Sequence, residues 1–216
     1  MPGDELLAVS HNHPDGEPTT EPDQPAFYYD LSSPEAYLVA ERVAEALGVV
    51  PEWQPVLLGA LPGAGALDAF RCAEERDIHM SQIERRAAEQ GLQPLRWPPD
   101  WPGDAEPVML AATYAKRIGR VVAFSLAAFR QAFAGGRSLS DPEGVLIAAA
   151  ACELHPAAVL KALETRSIAE ALRAATAAAA RAGVRDVPAV RVGDDVFHGE
   201  DELEAAAAAL GARSAA

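Results

Sequence analysis

The sequence predicts an α/β fold in which an N-terminal βαβ unit and a C-terminal ββα unit share one sheet and bracket a long all-helical block. Three observations predict it. A short aromatic run at 26–31 is followed at once by Ser33-Pro34-Glu35, a helix start. Between 61 and 182 the apolar residues recur only at helical spacing. From Val187 the pattern flips to two short apolar runs around Gly193-Asp194-Asp195, and a last helix follows.

Each element has a local cause. Residues 1–24 are rich in Pro, Asp, Glu and Thr and poor in large apolar groups, which predicts a flexible acidic tail. His11 and His13 alternate in that tail and are read as a pair of tail residues, not a metal site. Ala26-Phe27-Tyr28-Tyr29-Asp30-Leu31 reads as a buried strand. Ser33 supplies a cap hydroxyl, Pro34 takes the first helical position and Glu35 places an acid in the first turn. Leu38, Val39, Val43 and Leu47 then continue at helical spacing until Gly48 stops the helix. A second strand is expected within 49–58, parallel to the first by the crossover rule. Pro51 and Pro55 restrict that strand to an edge or a bent path.

The helical block opens with an alanine- and arginine-rich stretch at 66–90. A proline-rich loop at 94–102 carries Trp97 and Trp101. A helix at 106–118 follows. Val122, Leu126, Phe129 and Phe133, at steps of four, three and four, are predicted to share one face. Asp141-Pro142-Glu143, His155-Pro156 and Ser167 open three further helices, and the alanines of 174–180 extend the last of them. Residues 187–192 and 196–198 read as a hairpin, and Gly199-Glu200-Asp201-Glu202 opens the final helix through Leu210. The domain organisation is therefore a tail (1–24), the first half of the sheet domain (25–60), a helical insertion (61–182) and the second half (183–212).

Composition limits the function classes. Among the 216 residues 50% are apolar, so a sizeable core can form, and the formal net charge is −14. Such a surface repels phosphate backbones and argues against nucleic acid as a partner. No apolar run reaches the roughly eighteen residues of a membrane span. The first residues show no basic segment leading into an apolar one, so no signal peptide is read and a cytoplasmic setting is expected. Cys72 and Cys152, far apart and outside any Cys-x-x-Cys pair, give no metal-ligand spacing and are expected to be small buried groups on helices.

The segment Phe27-Tyr28-Tyr29-Asp30-Leu31-Ser32-Ser33-Pro34-Glu35-Ala36-Tyr37-Leu38 resembles the opening of 2-hydroxychromene-2-carboxylate isomerases and kappa-class glutathione transferases. These form a branch of the DsbA-like thioredoxin superfamily. Pro55-Val56-Leu57-Leu58-Gly59-Ala60 is similar to the second-strand segment of that group. Gly183-Val184-Arg185-Asp186-Val187-Pro188-Ala189, with Phe197-His198-Gly199-Glu200-Asp201, is similar to its C-terminal motif. The resemblance covers 26–212 and implies a thioredoxin-like fold with a large helical insertion. It implies that Ser33 is the catalytic serine, standing where redox relatives carry their first cysteine, and that Ala36 stands where they carry the second. A Ser33-Pro34-Glu35-Ala36 motif has no sulfur with which to exchange disulfides, so a disulfide oxidoreductase is disfavoured.

The activity this implies is that of a thiol-dependent isomerase or transferase on a small aromatic or apolar substrate. The cofactor would be glutathione or another low-molecular-weight thiol, with no metal, and pairing into a homodimer is part of the family pattern. Ser33 would donate a hydrogen bond to the thiolate, at a helix start whose exposed N–H groups favour an anion. Val187-Pro188 would be a cis peptide bond whose flanking N–H and C=O bind the ligand as an added strand. Asp201, with Glu200, would receive the ligand's ammonium. Trp97, Trp101 and Tyr37 are candidates for the wall of a substrate pocket. Each feature also has a structural reading. Ser-Pro-Glu is an everyday cap, and Pro188 can simply begin a strand. Glu200 and Asp201 suit any helix start, and the tryptophans can pin a loop. A non-catalytic binding module therefore stands beside the enzyme as an alternative. Asparagine and lysine, usual in the family after the second strand, are absent from 61–68, and Glu35 stands where aromatic residues are frequent.

Overall fold

The first strand alternates between two apolar faces, and the fold grows from that alternation. In the structure, a computed structural model that describes residues 24–63, 70 and 72–215, β1 is Ala26–Tyr29 and is buried throughout. Phe27 and Tyr29 join one core cluster while Ala26 and Tyr28 join another, as the two-residue period of a strand requires. β1 pairs in parallel with β2 (Glu52–Pro55) and antiparallel with β3 (Ala189–Val192), which pairs antiparallel with β4 (Asp195–His198). The sheet order is β2-β1-β3-β4, so β2 and its prolines do lie at an edge. Phe27 sits opposite Trp53 on one side and Val190 on the other. Trp53 meets the rings of Phe27 and Tyr29 edge-on at 5.0 and 5.3 Å, a favoured aromatic geometry.

Ser33 caps α1 (Pro34–Ala40) through its side chain. The helix does not run on to Gly48 as the sequence predicts. It breaks at Glu41 and Arg42 and restarts as α2 (Val43–Leu47), which Gly48 ends in the left-handed conformation. The cause is tertiary. Glu41 receives a bidentate pair from Arg130 at 2.7 and 2.6 Å, while Arg42 turns to Glu204 and Glu200. Neighbouring residues are thus drawn to different partners, and the Arg42 N–H closes a tighter turn on Val39 at 3.0 Å.

After a 3-10 turn (Leu58–Ala60), the helical block comprises α3 (Ala73–Glu89), α4 (Glu106–Arg117), α5 (Val121–Phe129), α6 (Pro142–Ala151), α7 (Pro156–Leu163) and α8 (Arg166–Arg181). The predicted helix from 66 begins at Ala73, and residues 64–69 lie outside the described ones. Cys72 is consequently exposed, because it precedes the helix; only Cys152 is buried. Thr165, not Ser167, precedes α8. The predicted face of Val122, Leu126, Phe129 and Phe133 is also revised. The chain packs through Phe124, Ser125, Ala128 and Phe129 and continues into a π turn (Arg130–Ala134) that buries Ala132 and Phe133. Val122 and Leu126 lie at the rim of that face. Helix α4 is the centre of the block, where its alanines at 111, 112 and 115 are fully buried. A 3-10 turn (Glu200–Glu202) and α9 (Leu203–Ser214) close the chain against α2, β3 and β4. Of the predicted tail at 1–24, residues 1–23, with His11 and His13, lie outside the described residues, and Gln24 is exposed.

Candidate functional site

The sheet register determines what can meet at the site. Tyr28 pairs with Ala189 across the antiparallel β1–β3 ladder. The turn leaving β1 therefore lies beside the loop entering β3, and both carry predicted site residues. Val187-Pro188 is a cis peptide bond, and Trp101-Pro102, not foreseen in the sequence, is a second.

The turn at 30–33 is held from below. Asp30 is buried, and its carboxylate accepts from the Ser32 N–H at 2.9 Å, the Ser32 hydroxyl at 2.8 Å and the Leu58 N–H at 2.8 Å. Burial pushes its pKa up against these bonds, and Asp104 pushes in the same direction. The Leu31 N–H points to Met109 Sδ on α4 at 3.3 Å, and Trp101 Nε1–H donates to the Ser32 carbonyl at 3.0 Å. The loop after β2 and the helical block thus converge on Asp30, Leu31 and Ser32, the three residues before the Ser33 cap.

Ser33 itself is 2% exposed. Its hydroxyl accepts from the Ala36 N–H at 3.1 Å and donates to Glu35 Oε2 at 3.2 Å. Glu35 Oε1 lies 3.1 Å from His79 Nε2 and 3.9 Å from an Arg86 nitrogen, both on α3. The His79 nitrogen makes no aligned hydrogen bond, so the contact is a close approach that becomes an ion pair when the ring carries a proton. Burial alone would raise the Glu35 pKa, but contact with His79 and the charges of His79 and Arg86 outweigh it and hold the carboxyl below its ordinary range. The His79 ring lies parallel to Trp101, with centroids 6.1 Å apart, and 5.4 Å from Phe70.

Across from Glu35, the Val187 N–H that the sequence reading offers to a ligand is already taken. Asp186 Oδ1 accepts it at 2.8 Å. Burial raises the Asp186 pKa, and the nearby Glu35 charge adds to that, which also places the two segments within electrostatic reach. The loop is fixed further by Gly199 N–H donating to the Pro188 carbonyl at 2.8 Å and Arg185 N–H donating to His198 Nε2 at 3.0 Å. Burial, with the Arg185 charge, keeps the His198 pKa low, so this ring acts as a neutral acceptor.

The remaining predicted residues separate. Glu200 carries an exposure of only 9% and is committed to Arg86 at 3.1 Å, Arg42 at 3.9 Å and the Gln90 amide. That cluster ties the last turn to α3 and α2 and leaves no free carboxylate for an ammonium. Asp201 is exposed, and no hydrogen bond or ion pair reaches it among the described residues. Trp101 is buried beside Ser32, with Trp97 against it at 4.7 Å; Trp97 Nε1–H donates to Glu84 at 2.7 Å. A cavity of about 30 Å³ between Leu31, Ser32, Trp101, Val108 and Phe133 has room for about one water. Tyr37 packs its ring on Phe129 and Phe133 at 6.0 and 5.7 Å and lines a separate cleft with Glu41, Leu92, Leu126 and Arg130. Ala36 is fully buried, so the position where redox relatives hold a sulfur has no reactive group.

Sequence reasoning had not assigned Asp30, His79, Asp186 or Gly63 to the site. For His79 a signal existed: 79, 83 and 86 are spaced by four and three, which puts His79 and Arg86 on one helix face with the buried Ile83. Gly63 is fixed by contact. Its N–H donates to the Arg185 carbonyl at 2.6 Å, and a Cβ there would lie 2.4 Å from the same oxygen. Gly63→Ala is expected to cost about 1–3 kcal/mol in urea unfolding, whereas Gly59→Ala, which meets nothing within 4 Å, serves as the neutral control.

A family model for the DSBA-like thioredoxin domain matches residues 26–211. The chain belongs to the DsbA-like thioredoxin domain family. Solved structures give the DsbA-like protein the same fold. A 2-hydroxychromene-2-carboxylate isomerase superposes with a TM-score of 0.75 at 19% identity, over 87% of this chain and 94% of that one. A probable DsbA oxidoreductase from Streptomyces coelicolor gives 0.72 at 21%, over 88% and 89%. The cytosolic disulfide reductase DsbM from Pseudomonas aeruginosa, in a structure with GSH, gives 0.60 at 15%, over 88% and 97%. No curated protein matches the DsbA-like chain by sequence. Among the described residues, no group of three or more His, Cys, Asp or Glu is placed to hold a metal, and no helix is long and apolar enough to cross a membrane.

Proposed function

We propose that this DsbA-like protein is a thiol-dependent isomerase or glutathione transferase-like enzyme acting on a small aromatic or apolar substrate, with glutathione or another low-molecular-weight thiol as its cofactor. The observation that carries the reading is the pairing of the Ser33 turn with the cis Val187-Pro188 loop at one end of the sheet. Ser33 keeps capping Ala36 through a lone pair while its single proton turns from Glu35 to the thiolate. The Val187 backbone binds the thiol's peptide portion once Asp186 yields its place, and Asp201, with its carboxylate unpaired, receives the ammonium. In an isomerisation the thiolate adds to the substrate, a bond rotates and the thiol is expelled, so the thiol is regenerated. A cytoplasmic location suits this chemistry because small thiols are kept reduced there.

Thermal shift and turnover together test the reading. At a hundredfold excess over its dissociation constant, a thiol that binds the folded state adds about 2.7 kcal/mol of stability. At least one of glutathione, cysteine and cysteamine is expected to raise Tm and to support conversion of an aromatic carbonyl electrophile. Ser33→Asn retains a capping oxygen but no hydroxyl and is expected to slow that conversion by roughly tenfold to a hundredfold, the worth of one charge-assisted hydrogen bond. No Tm shift with any of the three, or an Ser33→Asn variant as fast as wild type, sinks it. Insulin reduction is expected to give no turnover. One observation favours a second reading, a non-catalytic binding module: the Ser33 hydroxyl is buried and both its accepting and donating capacities are in use. That reading expects a Tm shift without conversion.

A further inference from the structure

Serine has one proton to give, and in this site Glu35 already holds it. We propose that Glu35 is a gate on Ser33, competing with the incoming thiolate for the serine hydroxyl, and that His79 sets how strongly it competes. The inference rests on the thiol-dependent reading above and specifies the regulation of its central residue. Glu35 Oε2 takes the Ser33 proton at 3.2 Å, while Oε1 faces His79 at 3.1 Å and Arg86 at 3.9 Å. The two carboxylate oxygens therefore face opposite sides, one to the reaction centre and one to α3. A thiolate served by the same hydroxyl stands next to this carboxylate, and two like charges sharing one donor disfavour each other's ionised form.

The charged groups around Glu35 decide the outcome. From α3, Arg86 offsets its charge, and His79 does so when its ring is protonated, although Arg86 divides itself with Glu200 of the last 3-10 turn at 3.1 Å. From the loop before β3, Asp186 adds a like charge that makes both carboxyls harder to ionise. His79 cannot easily follow a moving carboxylate, because Trp101 and Phe70 flank its ring. Glu35 therefore loses little by releasing Ser33, since its other oxygen keeps the cationic side. The gate opens when the thiolate arrives and Ser33 turns its O–H to sulfur; the proton of the thiol leaves to solvent, and no bond to Glu35 is made or broken.

Removing the competing charge should ease thiol ionisation. With glutathione bound and thiolate followed by ultraviolet absorbance against pH, Glu35→Gln is expected to lower the apparent thiol pKa by about one unit, the scale of one like charge at close range in a partly screened site. The Glu35→Gln/His79→Gln double variant is expected to match Glu35→Gln alone, since His79 acts through Glu35. A second measurement needs no thiol: the Glu35 carboxyl, titrated by NMR, is expected to move up in His79→Gln and in Ser33→Ala. An unchanged Glu35 titration in both variants, or a bound-thiol pKa that Glu35→Gln leaves in place, overturns the gate. Failure of glutathione to bind wild type and Glu35→Gln alike counts against the thiol-dependent reading instead, and the carboxyl titration then decides the gate by itself.

Discussion

Asp30→Ala is expected to destabilise the protein by about 2–4 kcal/mol in urea unfolding at neutral pH, because it strands the Leu58 and Ser32 N–H groups that the carboxylate now satisfies. The loss should concentrate at the site, where the same carboxylate joins the turn before α1 to the loop after β2. Asp30→Asn should be milder, since it keeps one acceptor oxygen. Its pH dependence has a definite sign. Burial raises the Asp30 pKa in the folded protein, so the contribution of this group is full below about pH 3.8, the unfolded value, and is lost as pH rises through the folded pKa. The stability advantage of wild type over Asp30→Asn is therefore expected to be larger in acid than at neutral pH. Glu35 runs the other way. Its folded pKa is depressed, so its contribution is full above about pH 4.5 and fades as pH falls through the folded value.

Trp101→Ala is expected to be the costliest of the substitutions considered, at about 3–5 kcal/mol by chemical or thermal denaturation. The ring is 7% exposed and touches Trp97, Phe70 and His79, while Nε1–H donates to the Ser32 carbonyl. Its removal enlarges the cavity beside Ser32 and frees the turn that positions Ser33. Trp101→Phe preserves most of the packing and forgoes the hydrogen bond, so about 1–2 kcal/mol is expected. An alanine variant as stable as wild type would show that the proline-rich loop is not held to the site by this residue.

Local chemistry made the fold readable. The aromatic strand, the Ser33-Pro34 cap, the prolines that keep β2 at an edge and the hairpin at 189–198 all follow from neighbouring residues, and each stands in the structure. The breaks were different in kind. Nothing in the periodicity from Leu38 to Leu47 announces that Glu41 will meet Arg130 and Arg42 will meet Glu204, partners 89 and 162 residues away. The site divides along the same line. The Ser33 cap was legible because cap chemistry is local, whereas the cis Val187-Pro188 bond was expected only from the family resemblance, since a proline there reads locally as the start of a strand. The commitment of Glu200 to Arg86 and Arg42 and the contact of His79 with Glu35 are long-range and depend on where α3 and the α1–α2 break pack. The Asp186 carboxylate on the Val187 N–H is a contact between neighbours, and the helical spacing of His79, Ile83 and Arg86 gave His79 a face but not its partner. Tyr37, read from the sequence as a pocket wall, stacks on Phe129 and Phe133 and lines a cleft whose other walls include Glu41, Leu126 and Arg130, not the Ser33 turn.

The sheet's margins have a consequence for the protein in concentrated solution. A half-apolar chain with an open four-stranded sheet runs the risk of ladder growth from one molecule to the next. On the β2 side, Pro51 and Pro55 flank and end the outer strand, each without an N–H to offer. On the β4 side the strand is only Asp195–His198, set between the turn at Gly193 and the left-handed Gly199, with an acid at its first position. Neither margin presents a long, flat row of donors and acceptors, so the two short, punctuated outer strands disfavour pairing of one molecule's sheet with the next.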